Sequence, residues 1–504
     1  MELCNLDNID INKNALKTVS KELCEEYMIF PYDIMGESLY LVATEDLTKE
    51  KVKYISFLVR KNINLKLCSE GQIIKYINQY YEENYRQSLM NGLKDVSIKN
   101  TGKGIINAKG PIVFLVDSII RDGVFKGASD IHIEPLKDNV RIRYRVDGVL
   151  IKVNTDIPKT IYENIATRIK VISGMDLGYK YYPQDGEANI EIHGELYDFR
   201  VSTLPTIHGE KFVLRILRRD SEFLKLENLG FRLKDYNMIR NILKVKQGLI
   251  IITGPTGSGK TSTLYSMIRS LNEECRNIIT IEKPIECDIE GINQVSVGTK
   301  GNLKYSEILK ASLRQDPDVI MIGEIIDRET AEIAIRASLT GHLVLTTLHT
   351  NDASSTINRL IDIGIPRELI NSSLLMIIAQ RLTRVICNKC KASYFVSASE
   401  LGIFNNANSN ILTFKGKGCS MCNNTGYIGR TIAYEIMTMN NKIKKAINSC
   451  DNDLIRETAI ESGMITIDKH FESLVIEGIT TIDEYYSNMQ VYNMERVLGA
   501  DYGV

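Results

Sequence analysis

One segment has the residue types and spacing of a phosphate-binding loop. It fits the pattern GxxxxGK[ST] and lies between an apolar strand, Leu249 to Thr253, and an expected helix. Its glycines allow backbone amides to fold around phosphates, its lysine adds a positive charge, and its threonine offers a hydroxyl to Mg²⁺. We therefore predict nucleotide binding by Gly254, Pro255, Thr256, Gly257, Ser258, Gly259, Lys260, Thr261 and Ser262.

Three carboxylates follow predicted strands and could take part in hydrolysis, which needs a metal ligand and a group that orients water. Glu324 ends the apolar strand Val319 to Ile322, where it could hold Mg²⁺ through water. Glu282 and Glu286 come at and after the end of another strand, and either could orient or deprotonate the attacking water. The alternative for each is a surface glutamate that happens to follow a buried strand.

Two of the six histidines, His342 and His349, bracket one apolar strand beside the expected nucleotide site. In that position they could sense the γ-phosphate. A lone histidine is more often structural, and the spacing alone leaves both interpretations open.

Two CxxC pairs, separated by residues 391–418, offer four thiolates of the kind that bind tetrahedral Zn²⁺. We expect a structural zinc site, with buried free thiols as the alternative. Because the segment between the pairs is not strongly basic, we expect no nucleic-acid binding. The four residues are Cys387, Cys390, Cys419 and Cys422.

The 504 residues indicate several domains, and 62 basic against 63 acidic residues leave no overall field that attracts nucleic acid or an anionic membrane. The N-terminus has no secretory pattern, and apolar runs such as Leu249 to Ile252 are too short to span a bilayer. We expect a cytoplasmic protein that meets a membrane only through partners.

The pattern of elements predicts an α/β chain of four domains. Ser38 to Ala43 reads as a strand and Pro111 to Phe125 as an amphipathic helix. From about 227, strands alternate with helices, which predicts a mostly parallel sheet covered on both faces. The predicted parts are an α+β domain over 1–85, a linker over 86–110, an α+β domain over 111–225, a strand–helix core with the phosphate-binding loop over 226–385, and a tail over 386–504 that carries the cysteines and then helices.

Taken together, several strings resemble the ATPases of type IV pilus assembly and type II secretion. They include Leu313 to Ile325, the histidine segment Thr340 to Ala353, Gln380 to Leu382, Ser129 to Pro135 and Tyr144 to Gly148. The resemblance covers about residues 111–495. It implies a RecA-like P-loop ATPase domain, preceded by a PAS-like domain of the N2 type and an N-terminal docking domain.

The resemblance also implies residue roles. Glu286 resembles the catalytic glutamate that activates water, and Glu324 resembles the acid near Mg²⁺. His342 and His349 resemble the paired histidines of the family. Arg200 and Arg215 resemble arginine fingers that reach the nucleotide from the preceding domain, although a strand-face charge is the simpler explanation of each.

For function, the resemblance implies a homohexameric motor that hydrolyses ATP and acts on an inner-membrane platform protein to drive pilus assembly. The alternatives are a type II secretion or DNA-uptake motor, and a nucleotide-binding ring with little turnover. A retraction motor fits less well, because such ATPases generally lack the zinc site. Residues 1–85 contain no Arg-Leu-Gly triplet, so we expect no cyclic di-GMP binding there.

Two positions depart from the family pattern. Lys283 stands where the family usually has Asp, and Ile326 stands where it usually has Arg. Either the two changes compensate, with Lys283 supplying the charge lost at 326, or hydrolysis is slow.

Overall fold

The computed structural model describes residues 6–16, 18–19, 23–24, 27–44, 49–59, 61–77, 80, 111–192, 195–217, 225–298, 303–396, 411–449 and 451–489. The linker predicted over 86–110 lies outside these residues. The chain divides into two compact units, 1–216 and 217–504, and each is described by itself. Among the described residues, no helix is both long and apolar enough to cross a bilayer.

The first part of the N-terminal unit is a small α+β fold around a three-stranded sheet. The order is β1-β2-β3, with β1 antiparallel and β3 parallel to β2. The strand expected at Ser38 to Ala43 is confirmed, and a helix covers residues 70–77. The bounds are β1 Ile29–Met35, β2 Ser38–Ala43, β3 Asn62–Leu67, α1 Lys13–Leu16 and α2 Lys49–Val59.

The rest of this unit is a six-stranded sheet with two helices on one face. Its strand order is β6-β5-β4-β9-β8-β7. Alternate strand residues such as Ile131, Tyr144 and Phe212 are fully buried in one core with the helices, so the opposite face carries the polar residues. The bounds are β4 Ala128–Pro135, β5 Asn139–Val146, β6 Val149–Pro158, β7 Gln184–Ile192, β8 Glu195–Thr206, β9 Gly209–Leu217, α3 Pro111–Phe125 and α4 Tyr162–Ile172.

The C-terminal unit is built on a seven-stranded sheet in the order β12-β11-β13-β14-β10-β15-β18. Every neighbouring pair is parallel except β15 and β18. Along β10, Leu249 and Ile251 belong to one buried cluster while Ile250 and Ile252 belong to another. The alternation shows that helices cover both faces, as the run of apolar residues predicts.

Its sheet strands are β10 Gly248–Thr253, β11 Ile278–Glu282, β12 Asn293–Ser296, β13 Val319–Ile322, β14 Leu343–Leu348, β15 Leu374–Ile386 and β18 Tyr427–Thr438. A separate hairpin consists of β16 Lys391–Val396 and β17 Ile411–Gly416. The helices are α5 Leu233–Ile242, α6 Lys260–Leu271, α7 Tyr305–Ser312, α8 Arg328–Leu339, α9 Ala353–Asp362, α10 Arg367–Ser373, α11 Asn441–Ser449, α12 Asn452–Glu461 and α13 Ile467–Ile476.

The tail is less helical than its sequence suggested. Helices begin only at Asn441, and before them β18 pairs antiparallel with β15 along almost its whole length. The cysteine-containing segment is therefore an insertion between two neighbouring strands of the core sheet. Residues 432–437 of β18 are all buried and all but Glu435 are apolar, which is a strand signal that the prediction of a helical tail did not use.

A buried carboxylate joins two of the C-terminal helices to the sheet edge. Glu435 on β18 accepts hydrogen bonds from the backbone N–H of Ala353 (2.7 Å) and of Ile467 (3.0 Å), which begin α9 and α13. Burial and the nearby Asp352 carboxylate raise the pKa of Glu435 to about 7, against the effect of those two N–H groups and of Arg456. One side chain thus accepts hydrogen bonds from the free N–H groups of two helix N-termini.

Glu435 should make the stability of this unit pH-dependent. Folding raises its pKa from 4.5 to about 7. Its contribution to the free energy of unfolding is therefore complete below pH 4.5 and falls by about 3 kcal/mol as pH rises through 7. Glu435→Gln removes the titration. In thermal unfolding of the full chain, the midpoint of the variant should therefore rise relative to that of wild type between pH 5 and pH 8.

The exposed Glu477, just after α13, provides a matched control for the loss of one charge. The thermal midpoint of Glu477→Gln should differ from that of wild type by the same amount at pH 5 and at pH 8. If the difference for Glu435→Gln is also the same at both pH values, the titration of Glu435 does not affect stability.

Candidate active site

A cavity of 510 Å³ lies where the parallel strands of the core sheet end. The phosphate-binding loop follows β10, Glu286 follows β11, Glu324 follows β13 and His349 follows β14. All of them line this cavity. In a parallel sheet the carboxyl ends of the strands share one edge, so four separate sequence motifs meet there.

The loop has the backbone that its glycines allow. Gly254 has φ +145° and Gly259 has φ +87°, and a Cβ at Gly254 would lie 2.4 Å from the carbonyl oxygen of Gln380. Gln380, fully buried on β15, donates to the carbonyl of Ser258 (2.8 Å) and accepts from the Thr263 hydroxyl (2.9 Å). The neighbouring strand therefore fixes the loop to the first turn of α6.

Lys260, Glu324 and His349 form one polar cluster. The ammonium of Lys260 donates to the carbonyls of Gly254 (2.8 Å) and Pro255 (3.0 Å) and lies 3.5 Å from Nδ1 of His349. Nε2 of His349 is 3.4 Å from Oε2 of Glu324. Burial lowers the pKa of Lys260 to about 8, although the Glu324 carboxylate acts in the opposite direction. A bound polyphosphate would restore the full charge of this lysine.

The glutamate that ends β11 and the glutamate that follows the strand have different surroundings. Glu286 is half-buried in the cavity wall, and its backbone N–H donates to the Tyr265 hydroxyl (3.0 Å). Glu282 is 3% exposed and accepts from Tyr265, from Thr280 (2.6 Å) and from Gln294 (3.1 Å). These three donors engage both Glu282 oxygens inside the protein, so the geometry favours Glu286 as the residue that meets water.

His342 is not brought to this cavity. It precedes β14, whereas His349 follows it, and seven residues of extended chain span about 20 Å. Its Nδ1 lies 3.0 Å from the carbonyl oxygen of Ala337, and its own carbonyl accepts from Gly248. The expectation that both histidines serve the same pocket therefore fails for His342. Its place at the opposite edge follows from the strand length.

Arg200 and Arg215 lie on strands of the N-terminal unit. Arg215 on β9 donates from Nε to Oδ1 of Asp130 (3.0 Å), and its side chain is 63% exposed. Arg200 on β8 is the register partner of Glu187 on β7. Their assignment as arginine fingers stays a prediction.

The four predicted cysteine ligands come together at the end of the β15–β18 pair. Their sulfur atoms all lie within 4.8 Å of one another, with three sulfur–sulfur distances of 3.7–3.8 Å. A tetrahedral zinc with Zn–S bonds of about 2.3 Å requires sulfurs about 3.8 Å apart. Burial raises the pKa of Cys422, but backbone N–H groups of Cys419 and Gly426 outweigh it and lower the pKa to about 7. Burial and the neighbouring thiols raise the pKa of Cys390 to about 12, so the fit rests on the sulfur spacing. The cluster therefore fits a zinc ion.

Sequence reasoning did not assign a role to several residues of the site. Gln380 braces the loop and Tyr265 contacts Glu286, while Leu382 and Arg430 complete the cavity wall. No spacing rule could have found Arg430, because it lies on β18, which reaches the site only through its pairing with β15. Gln380 belongs to one of the strings that resemble the family, but its hydrogen-bond partners follow only from the fold.

The apolar strand, phosphate-binding loop and carboxylates define a P-loop nucleotide-hydrolase site on a mixed α/β sheet. Comparison with known proteins gives the family. Residues 106–487 match the family model described as type II/IV secretion system protein, and residues 1–85 match the MshEN domain. The chain belongs to the type II/IV secretion system protein family and is an ATPase of that family.

Three similar proteins illustrate the relationship. The type IV pilus assembly ATPase PilB of Myxococcus xanthus is 37% identical over 96% of this chain and 88% of its own. The type II secretion system protein E of Aeromonas hydrophila is 41% identical over 74% of this chain and 75% of its own. The ADP-bound structure of the pilus retraction motor PilT aligns with a TM-score of 0.50 at 28% identity, over 73% of this chain and 95% of that one.

The departures at Lys283 and Ile326 can be tested against each other. Lys283 lines the cavity, whereas Ile326 is 58% exposed and is not among the lining residues. If Lys283 replaces the charge lost at 326, Lys283→Asp alone should lower ATP turnover and the added Ile326→Arg should restore it. Phosphate release should then show a coupling energy of about 1 kcal/mol between the positions. Additive single effects would rule out compensation.

Proposed function

We propose that this protein is a motor that hydrolyses ATP to power type IV pilus assembly. The observation that carries the proposal is the meeting of Lys260, Glu324, His349 and Glu286 in one cavity at the carboxyl edge of the sheet. The alignment with a pilus assembly ATPase over nearly the whole chain, N-terminal unit included, supports the choice of process. We place the protein in the cytoplasm, at the inner face of the cell membrane.

In this mechanism the loop and Lys260 hold the phosphates of ATP. Thr261 and Glu324, whose hard oxygen atoms suit Mg²⁺, both line the cavity and would hold the ion, which neutralises phosphate charge when bound. Glu286 orients and deprotonates the attacking water. His349, 3.4 Å from Glu324 and 3.5 Å from Lys260, senses the γ-phosphate.

Arg200 and Arg215 would complete the site from the N-terminal unit. A planar, permanently charged guanidinium suits the developing charge of a transferring phosphoryl group. Supplied by a neighbouring copy, they would require a ring, for which we propose a homohexamer. Hydrolysis would then become a rigid-body motion within the ring. This motion would be delivered to a platform protein in the membrane.

A second candidate is the motor of a type II secretion or DNA-uptake system. The specific observation in its favour is the 41% identity to type II secretion proteins over three quarters of the chain. A regulatory ring with little turnover is supported only by Lys283 and Ile326. The intact loop lysine and carboxylates in the cavity argue against it.

The first test is phosphate release from Mg-ATP by the purified full-length chain. Lys260→Ala removes the charge that holds the phosphates and should abolish turnover. Glu286→Gln keeps the shape of the side chain but not its basicity, and should lower turnover roughly 100-fold or more. Glu290→Gln changes an exposed carboxylate four residues away and serves as the control.

The result that would contradict the motor is tight ATP binding without turnover in the wild type, even with lipid and a platform protein present. That result would favour the regulatory ring. Wild-type turnover in Glu290→Gln together with loss in the other two variants would establish the site.

We also propose that the four cysteines hold a structural zinc ion. They arrive as two pairs, one just after β15 and one just before β18, and a shared metal would hold these two chain segments together. No open coordination position is needed, because four thiolates saturate a tetrahedral ion. The role would be stability of this end of the strand pair.

Elemental analysis of protein purified with zinc should find about one zinc per chain. Cys419→Ser should lose the metal and lower the thermal midpoint, because three ligands hold the ion less tightly. Cys275→Ser is the matched control, since Cys275 is an exposed free thiol outside the cluster. A fully active wild type without metal would remove this proposal.

A further inference from the structure

The Tyr265 hydroxyl connects the phosphate-binding helix to the candidate catalytic glutamate. Tyr265 lies on α6, five residues after Lys260, and is 2% exposed. Its O–H donates to Oε2 of Glu282 and its oxygen accepts from the backbone N–H of Glu286 (3.0 Å). Burial and the Glu282 carboxylate raise the pKa of this phenol, so it stays a proton donor.

Glu282 in turn holds Tyr265 in place. It is the last residue of β11, and its Oε1 accepts from the Thr280 hydroxyl (2.6 Å) and from Nε2 of Gln294 (3.1 Å). With its other oxygen on Tyr265, this carboxylate accepts from the protein at both oxygens. It can therefore fix the direction of the phenol.

Gln294 binds the end of the segment that Glu286 begins, residues 286–289. Its Nε2 also donates to the carbonyl of Cys287 (3.0 Å), and its Oε1 accepts from the N–H of Ile289 (2.7 Å). The chain from 286 to 289 is thus bound at three backbone atoms by the buried Tyr265 and the half-buried Gln294. Both of these side chains meet at Glu282, which makes the network closed.

We propose that Tyr265 is a positioning residue, which sets the distance between Glu286 and the nucleotide by attaching the glutamate's backbone to α6. The inference rests on the proposed role of Glu286. Tyr265 touches no reacting atom in this arrangement. It acts because the same helix begins with Lys260, so that the phosphates and the base share one rigid support. A displacement of about 1 Å between such groups can lower the rate about 100-fold.

The test compares Tyr265→Phe with a matched substitution elsewhere in the unit. Tyr434 is also buried, and its hydroxyl accepts from a backbone N–H (Arg232, 2.9 Å) and donates to a carboxylate (Asp235, 2.8 Å). Tyr434→Phe therefore removes the same two bonds outside the lining of the nucleotide cavity. Differences between the two variants report on position rather than on the loss of a buried hydroxyl.

For Tyr265→Phe we expect kcat for phosphate release to fall 10-fold to 100-fold, with KM and the binding constant for ATP within about twofold of wild type. Tyr434→Phe should keep the wild-type kcat while its thermal midpoint falls by a similar amount. In a Glu286→Gln background, adding Tyr265→Phe should cause no further loss, because the residue acts through that glutamate.

The outcomes separate this inference from the function on which it rests. Wild-type kcat in Tyr265→Phe, or equal loss in Tyr434→Phe, with Glu286→Gln inactive, would overturn the positioning role alone. A further loss in the double variant would overturn it too, since Tyr265 would then act on something other than Glu286. Wild-type turnover in Glu286→Gln would overturn the assignment of the base and the positioning with it.

Discussion

The parallel alignment of four strands is the constraint on which the site depends. β10, β11, β13 and β14 run in the same direction in neighbouring positions, so the loop after each one opens at the same edge. Each strand is buried on both faces and cannot slip without exposing apolar residues. The functional residues therefore lie on short loops that are anchored by rigid strands.

Local patterns predicted much of this arrangement. The phosphate-binding loop, the strand before it and the acid after β13 were readable because each signal lies within a dozen residues. The hydrogen bonds of Gln380 and Tyr265 were not, because their partners lie 122 and 21 residues away in sequence and no periodicity records such contacts. Side-chain networks of this kind depend on how helices and strands pack.

The histidines show an inference that geometry could have corrected in advance. Two residues that bracket one strand lie at opposite edges of the sheet, so only one of them can reach a site at the carboxyl edge. The two histidines are close in sequence, but that does not place them close together in the fold. The two glutamates at and after the end of β11 also differ in a way that spacing does not show: both line the cavity, but Glu282 accepts hydrogen bonds from the protein at both oxygens.

The cysteine-containing segment is inserted between two adjacent strands of the core sheet. It leaves the sheet at the end of β15 and returns at the start of the adjacent, antiparallel β18, where Ile386 and Tyr427 are register partners. A short turn between those two residues would give the same strand pairing without rethreading the chain. Relatives could thus lose or gain the whole element in a single event, while the order of the strands and the nucleotide edge of the sheet remain intact.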